Sequence, residues 1–293
     1  MTRYVGYGLC LESEIALPLP PIHSTVALPV IAVRFGGFDA SEALSLPYAA
    51  GAVAYGPYSG RVLVRTEGLP DFLVSGSCIL IGDHRAEAEL GDIVVRMVLG
   101  FVLQLRSIMA FHGAAACRHG RAVALLGDRA AGKSTTAMGL AERGWGFLCD
   151  DIVAVEPEGN VPAGATRARL NSDSYDRLGD GRHSGPAPRD RDGKYSVQPG
   201  SEGRAAALES VFVIEAAEVE TVESRAVLGY AKLRVALAHM HSLSGIGDPG
   251  TRLRRAAETL ELVPLFVVRR PRRRFALDEL LDTIEALSLR EDP

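Results

Sequence analysis

The octapeptide Gly127-Asp128-Arg129-Ala130-Ala131-Gly132-Lys133-Ser134 fills the pattern G-x-x-x-x-G-K-[ST] completely, with Thr135 directly after it. Each fixed residue type answers a physical demand. Glycines let successive backbone N–H groups curl around phosphate oxygens, and a helix that starts at the end of such a loop adds the positive end of its dipole. Lys133 is placed to reach the β- and γ-phosphates of a nucleotide, and the Ser134 hydroxyl to sit on Mg²⁺. Lysine occurs only at Lys133, Lys194 and Lys232, every other basic residue being arginine, so a lysine kept here fits a role that needs a compact ammonium. The expected ligands are ATP and Mg²⁺.

Downstream, Asp150 and Asp151 sit side by side inside the apolar run 147–155. Two unpaired carboxylates in such a segment are costly to bury, so they are expected to face a metal or a polar site. Successive strand residues point to opposite faces, which divides the labour: one carboxylate holds Mg²⁺ directly or through water, and the other accepts a hydroxyl proton during phosphoryl transfer. The blander alternative makes both of them caps or salt-bridge partners. His112, taken alone, reads as an ordinary structural histidine. Arg167, Arg169, Arg182, Arg189, Arg191 and Lys194 stud the segment 157–204, where they either clamp a phosphate or acidic peptide or form a solvated surface. The run Arg269-Arg270-Pro271-Arg272-Arg273-Arg274 reads as a solvated face on a net-acidic chain.

Positioning these groups requires a strand, a loop and a helix in that order. Residues 122–126 form the strand into the loop, 134–143 the helix out of it, stopped by Gly144, and 147–155 the next strand. The run 113–117 pairs with 122–126 around the turn 118–121. Before it, Ile93, Val94, Met97, Val98, Phe101, Val102 and Leu105 recur at helical spacing and predict a helix from 92 to about 110. Residues 1–90 are β-rich, with strands in 26–35, 52–55, 62–64 and 72–81. The segment 157–204 has no sustained periodicity and reads as a long loop or lid. Strands at 209–216 and 265–268 and helices at 230–241, 251–260 and 277–289 complete the chain. The expected division is a β-rich region 1–90 and a catalytic domain 91–293.

Composition narrows the setting. The 293 residues are 47% hydrophobic and 23% charged, which excludes a disordered, collagen-like or coiled-coil chain. A net charge of -4 asks for neither nucleic acid nor an anionic membrane as partner. The cysteines Cys10, Cys78, Cys117 and Cys149 are too scattered for a disulfide framework or a zinc signature, and point to a reducing cytoplasm. Glu12 and Glu14 interrupt any signal-peptide run, and Arg96, Arg106 and His112 break the longest apolar stretch, so no membrane span is expected.

Taken together, His112-Gly113, the loop 127–134 with Thr135, Arg143-Gly144 and Asp150-Asp151-Ile152-Val153 resemble the core of the HPr kinase/phosphorylase family. The N-terminal Tyr7-Gly8-Leu9 and Ser13-Glu14-Ile15-Ala16-Leu17-Pro18 resemble the opening of its relatives in lasso-peptide biosynthesis, which phosphorylate a serine, typically at the C-terminus of a ribosomal precursor peptide. The resemblance implies an α/β fold, a P-loop core of the HPr-kinase/PEP-carboxykinase type with the β-rich N-terminal region packed on it. It also implies that Asp150 is the general base, that Asp151 lies beside the metal and Lys133, and that His112 lies near the transferred phosphate; Ser134 and Asp151 are the expected metal ligands. Arg169 and Lys194 are the expected substrate contacts, and a homo-oligomer is an inherited expectation. Arg129 and Ala130 stand where the family has Ser-Gly, and the glycine-rich signature of phosphorylase activity is missing, so the reverse reaction is not expected; residues 1–90 do not resemble the family's regulatory domain, so the carrier HPr is not an expected substrate. Two other readings keep the loop: a kinase of a small hydroxylated metabolite, and a nucleotide-binding regulatory module without turnover. The intact Lys133, Ser134 and aspartate pair argue against the latter.

Overall fold

The computed structural model describes residues 1–293 apart from 25, 39, 41–44, 83–89, 179–186, 191–192 and 289–293. Its described residues fall into two units, one made of 1–110 with 241–252 and the other of 111–240 with 253–293. In the first unit, alternation along Leu9–Ser13, Val30–Phe35 and Cys78–Ile81 turns Leu9, Leu11, Ile31, Val33, Ile79 and Ile81 inward. Those strands belong to a nine-stranded mixed sheet. The helical apolar spacing gives Leu90–Ile93, a π turn Val94–Val98 and Leu99–Leu105, whose Val94, Val98, Phe101 and Val102 are buried. This helix stops at Arg106, short of the expected 110, because Ser107 turns left-handed and the chain enters the strand Met109–Arg118. Gln104 anchors the distant segment 241–252 to it: its Nε2 donates to the carbonyls of Leu243 and Ile246, both at 2.6 Å, and its Oε1 accepts from Leu243 N at 2.7 Å.

The second unit is built on a mixed sheet. Gly146–Cys149, Met109–Arg118, Arg121–Leu126, Ala206–Ala217, Leu265–Pro271 and Glu223–Val227 lie side by side in that order. Met109–Arg118 and Arg121–Leu126 are the expected antiparallel pair, while Arg121–Leu126, Ala206–Ala217 and Leu265–Pro271 run parallel. Near-continuous apolar runs suit strands covered on both faces. Helices Lys133–Glu142 and Leu277–Ser288 pack together over one face, with Met138, Leu140, Leu280, Leu281 and Ile284 buried in a core shared with Val123, Leu125 and Phe212.

Two sequence expectations fail here for local reasons. The run 147–155 is not one strand: it breaks into Gly146–Cys149 and Ile152–Val155 around the aspartate pair, where Asp151 adopts φ 68°. The segment 157–204 is not irregular, since it carries the strand pair Ala168–Leu170 and Tyr195–Val197, the short strand Asn160–Val161 and the helix Ser172–Leu178. Elements of this length are too short to print a period on the sequence.

Glu285 ties the closing helix to the rest of this unit. Its carboxylate accepts from Trp145 Nε1 at 2.9 Å, Arg143 Nη1 at 2.9 Å and Arg118 Nη1 at 3.3 Å. Trp145 is a fully buried indole, so removing its acceptor leaves an unpaired donor in the core. Glu285→Ala is expected to lower stability by about 2 kcal/mol in urea unfolding. An unchanged midpoint would show that the indole finds another acceptor.

Candidate functional site

The strand Arg121–Leu126 ends beside the parallel strand Ala206–Ala217, and the chain turns there into the helix Lys133–Glu142. The turn can only start on glycine: Gly127 has φ 139°, and a Cβ on it would lie 2.4 Å from the Ile214 carbonyl oxygen. Gly132 closes the loop at φ 110° immediately before the helix. Between them Ala130 sits at φ 65°, a left-handed conformation that costs an alanine about 1 kcal/mol.

Lys133 is buried at the base of this loop, and its Nζ donates to the carbonyls of Gly127 at 2.8 Å and Asp128 at 3.0 Å. Burial lowers its pKa, and the carboxylates of Asp150 and Asp151 oppose that shift. A second cation braces the loop from outside. Arg270, on the strand Leu265–Pro271, donates through Nε to the Ala131 carbonyl at 2.7 Å and through Nη2 to that of Ala130 at 3.2 Å.

The break in the strand sends the two aspartates to different places. Asp150 is 1% exposed; its Oδ1 accepts the Ser134 hydroxyl at 2.8 Å and its Oδ2 the Arg169 backbone N–H at 2.9 Å. Asp151 instead lines a cavity of about 750 Å³, with its carboxylate 3.5 Å from Arg169 Nη1. Its own carbonyl oxygen accepts from Gly113 N at 3.2 Å and lies 3.1 Å from His112 Nδ1. A carbonyl only accepts, so this contact assigns the proton to Nδ1. The His112 ring is open to the cavity yet ringed by protein; the loss of surrounding water and the charge of Lys133 both lower its pKa, against the pull of Asp151.

His112, Lys133, Ser134, Thr135, Asp151, Arg169 and Lys194 therefore meet around one cavity, together with Arg129, Ala130 and Gly132 of the loop. Asp150 lies behind it, and it is Asp150, not Asp151, that pairs with Ser134. This differs from the sequence expectation because Asp151 is left-handed rather than the next residue of a flat strand. Arg169 is bound to Asp190 as well as to Asp151, and the Lys194 backbone N–H donates to Asp190 at 3.0 Å. Arg167 bonds to Ser196 and Gln198, and Arg189 lies over the Tyr195 ring, so both are engaged within their own segment. Arg182 and Arg191 lie outside the described residues.

Sequence reasoning missed the role of Arg270, although the arginine run that holds it was visible. In that run Arg269, Arg273 and Arg274 pair with Glu215, Glu218 and Glu279, as a solvated face would. It also missed Ser174, whose hydroxyl accepts that of Thr135 at 2.9 Å from the helix Ser172–Leu178. The signal was present in Asn171, whose side chain caps that helix through Ser174 N at 2.8 Å.

Hydroxyl and carboxylate oxygens are the hard donors that Mg²⁺ takes, and the ion uses few protein ligands because waters and substrate phosphates complete its shell. The Ser134–Asp150 pair, 2.8 Å apart at the start of a helix, fits that demand. Among the described residues no three His, Cys, Asp or Glu side chains gather as a metal cage, and no helix is long and apolar enough to cross a membrane.

No protein-family model and no curated protein matches the chain. Among solved structures, the HPr(Ser) kinase/phosphatase from Coxiella burnetii is similar at 12% identity and a TM-score of 0.32, over 61% of this chain and 96% of that one.

Two outcomes are expected from this geometry. Ala130→Gly removes the left-handed strain and should raise stability by up to about 1 kcal/mol in urea unfolding; no gain would mean that Arg270 and the loop leave no strain to relieve. The second concerns pH. His239, whose carbonyl accepts the His112 backbone N–H at 2.8 Å, also has its pKa lowered, first by burial. Below the ordinary imidazole value of 6.5 the unfolded chain therefore binds protons that the folded state refuses, and stability falls as pH drops from 6.5 through the lowered values. Thermal unfolding across this range should show the fall, and His239→Gln should lessen it while leaving the share of His112.

Proposed function

We propose that the protein is an ATP- and Mg²⁺-dependent phosphotransferase whose acceptor is a serine hydroxyl of a peptide. The observation that carries the reading is the juxtaposition of a complete phosphate-binding loop, with Lys133 buried beneath it and Ser134 on Asp150, and a carboxylate, Asp151, that faces the same cavity. The peptide acceptor is supported by the sequence resemblance, and the open cavity, ringed by Arg129, Arg272 and Arg273, suits an acidic chain terminus.

The loop amides and the start of the helix Lys133–Glu142 hold the phosphates of ATP. Lys133 exchanges its two carbonyl acceptors for phosphate oxygens and balances the charge that builds during transfer. Asp151 takes the proton from the acceptor hydroxyl; the oxygen bonds to the γ-phosphorus as the bond to the leaving ADP oxygen breaks, leaving phosphoserine and ADP. We assign the base to Asp151 because Asp150 has its two oxygens on Ser134 and Arg169. When bound, Mg²⁺ at the Ser134–Asp150 pair supplies charge neutralisation. Arg169 holds the Asp151 carboxylate in place, and the Asp151 carbonyl, held from Gly113 and close to His112, fixes its unusual backbone.

Mass spectrometry of Ser-terminated peptides incubated with Mg-ATP tests the reading. Phosphate on the terminal serine, lost in Lys133→Ala, is the expected result; ATP consumed only with small hydroxylated acceptors would replace the peptide by a metabolite, and binding without turnover would leave a regulatory module. Asp151→Asn should lower kcat by about 10²–10⁴-fold with ATP binding retained. Full transfer by Asp151→Asn together with loss in Asp150→Asn would return the base to Asp150.

A further inference from the structure

The cavity is chemically lopsided. Around Lys133, Asp151 and Lys194 it is charged, whereas its other wall is Phe275, Ala276, Leu277 and Leu280. Ala276 and Leu280 are 6% and 1% exposed, but Phe275 beside them keeps 39% of its surface open. An aromatic ring left open at a cavity wall while its neighbours are packed is a surface short of a partner.

The ring is not isolated. The Arg177 guanidinium lies over it, 4.8 Å from the centroid, and is oriented by Asp173 Oδ1, which accepts from Arg177 Nε at 2.9 Å. Arg177 stands one helical turn beyond Ser174, and the Thr135–Ser174 hydroxyl bond fixes that helix against the end of the phosphate loop. Phosphates laid along the loop with the γ-group toward Lys133 leave the sugar and base to extend past Thr135, toward Arg177 and Phe275. A flat ring and a flat guanidinium are the surfaces on which a nucleobase stacks.

We propose that Phe275 and Arg177 form the base-stacking subsite for the nucleotide, with a purine ring extending the stack. This inference rests on the nucleotide reading given above and deepens it. Inorganic tripolyphosphate carries the phosphate chain without sugar or base, so it separates the two claims.

Binding of Mg-ATP and of Mg-tripolyphosphate to the full chain, by calorimetry, is the test. The unsubstituted protein should bind ATP at least tenfold tighter than tripolyphosphate. Phe275→Ala should raise the Kd for ATP about tenfold and leave that for tripolyphosphate within twofold, Arg177→Ala should do the same to a smaller degree, and Phe275→Tyr should restore ATP affinity. Equal affinity of the unsubstituted protein for both ligands, wild-type ATP affinity in Phe275→Ala, or equal loss of both ligands in that variant would each overturn the stacking subsite while the nucleotide reading stands. Binding of neither ligand by the unsubstituted protein would remove the nucleotide reading and the subsite with it.

Discussion

A buried ammonium needs oxygens around it, and the need of Lys133 organises much of the second unit. The backbone supplies two of those oxygens from Gly127 and Asp128, which forces the chain into a ring that only glycine can open, against the Ile214 carbonyl. Two carboxylates add opposite charge at longer range. They cannot both occupy one spot, and the interruption of the strand between Cys149 and Ile152 separates them, one behind the helix start and one into the cavity. The site thus follows from satisfying one cation, with each nearby departure from regular structure serving that end.

Interactions within a few residues of the loop were legible from the sequence. The strand, loop and helix around Lys133 are local, and each of their signals, apolar run, glycine and following helix, lies within the segment it describes. The aspartate pair was legible as chemistry but not as geometry. Apolar neighbours on both sides read as one strand, and nothing in residue types announces that Asp151 turns left-handed, a conformation aspartate tolerates better than most. Arg270 escaped for a different reason: its partners are the carbonyls of Ala130 and Ala131, and backbone acceptors leave no trace in residue identity. The segment 157–204 hid its short strands and helix because each is briefer than the window over which a period declares itself.

Arginine serves this unit in two different settings. Arg143 reaches Asp278, Asp282 and Glu285 and pins the closing helix, in a setting open enough to water that each contact is individually weak. Arg169 uses the same guanidinium fork on Asp151 and Asp190 in a more sheltered place, where it fixes a carboxylate that faces the cavity. The planar fork lets arginine hold two acids at once, which a lysine ammonium does with less directional control.

The contact from Arg270 to the loop joins residues 139 and 140 positions apart in the chain. Loop and helix can form early from neighbouring residues, whereas the brace waits until Leu265–Pro271 has docked alongside Ala206–Ala217. On a ribosome the strand that carries Arg270 emerges long after the loop, so the bracing of the loop waits for the synthesis of residues 265–271. A nascent chain would then hold the loop without its brace, which ties the finished loop to completion of the parallel sheet.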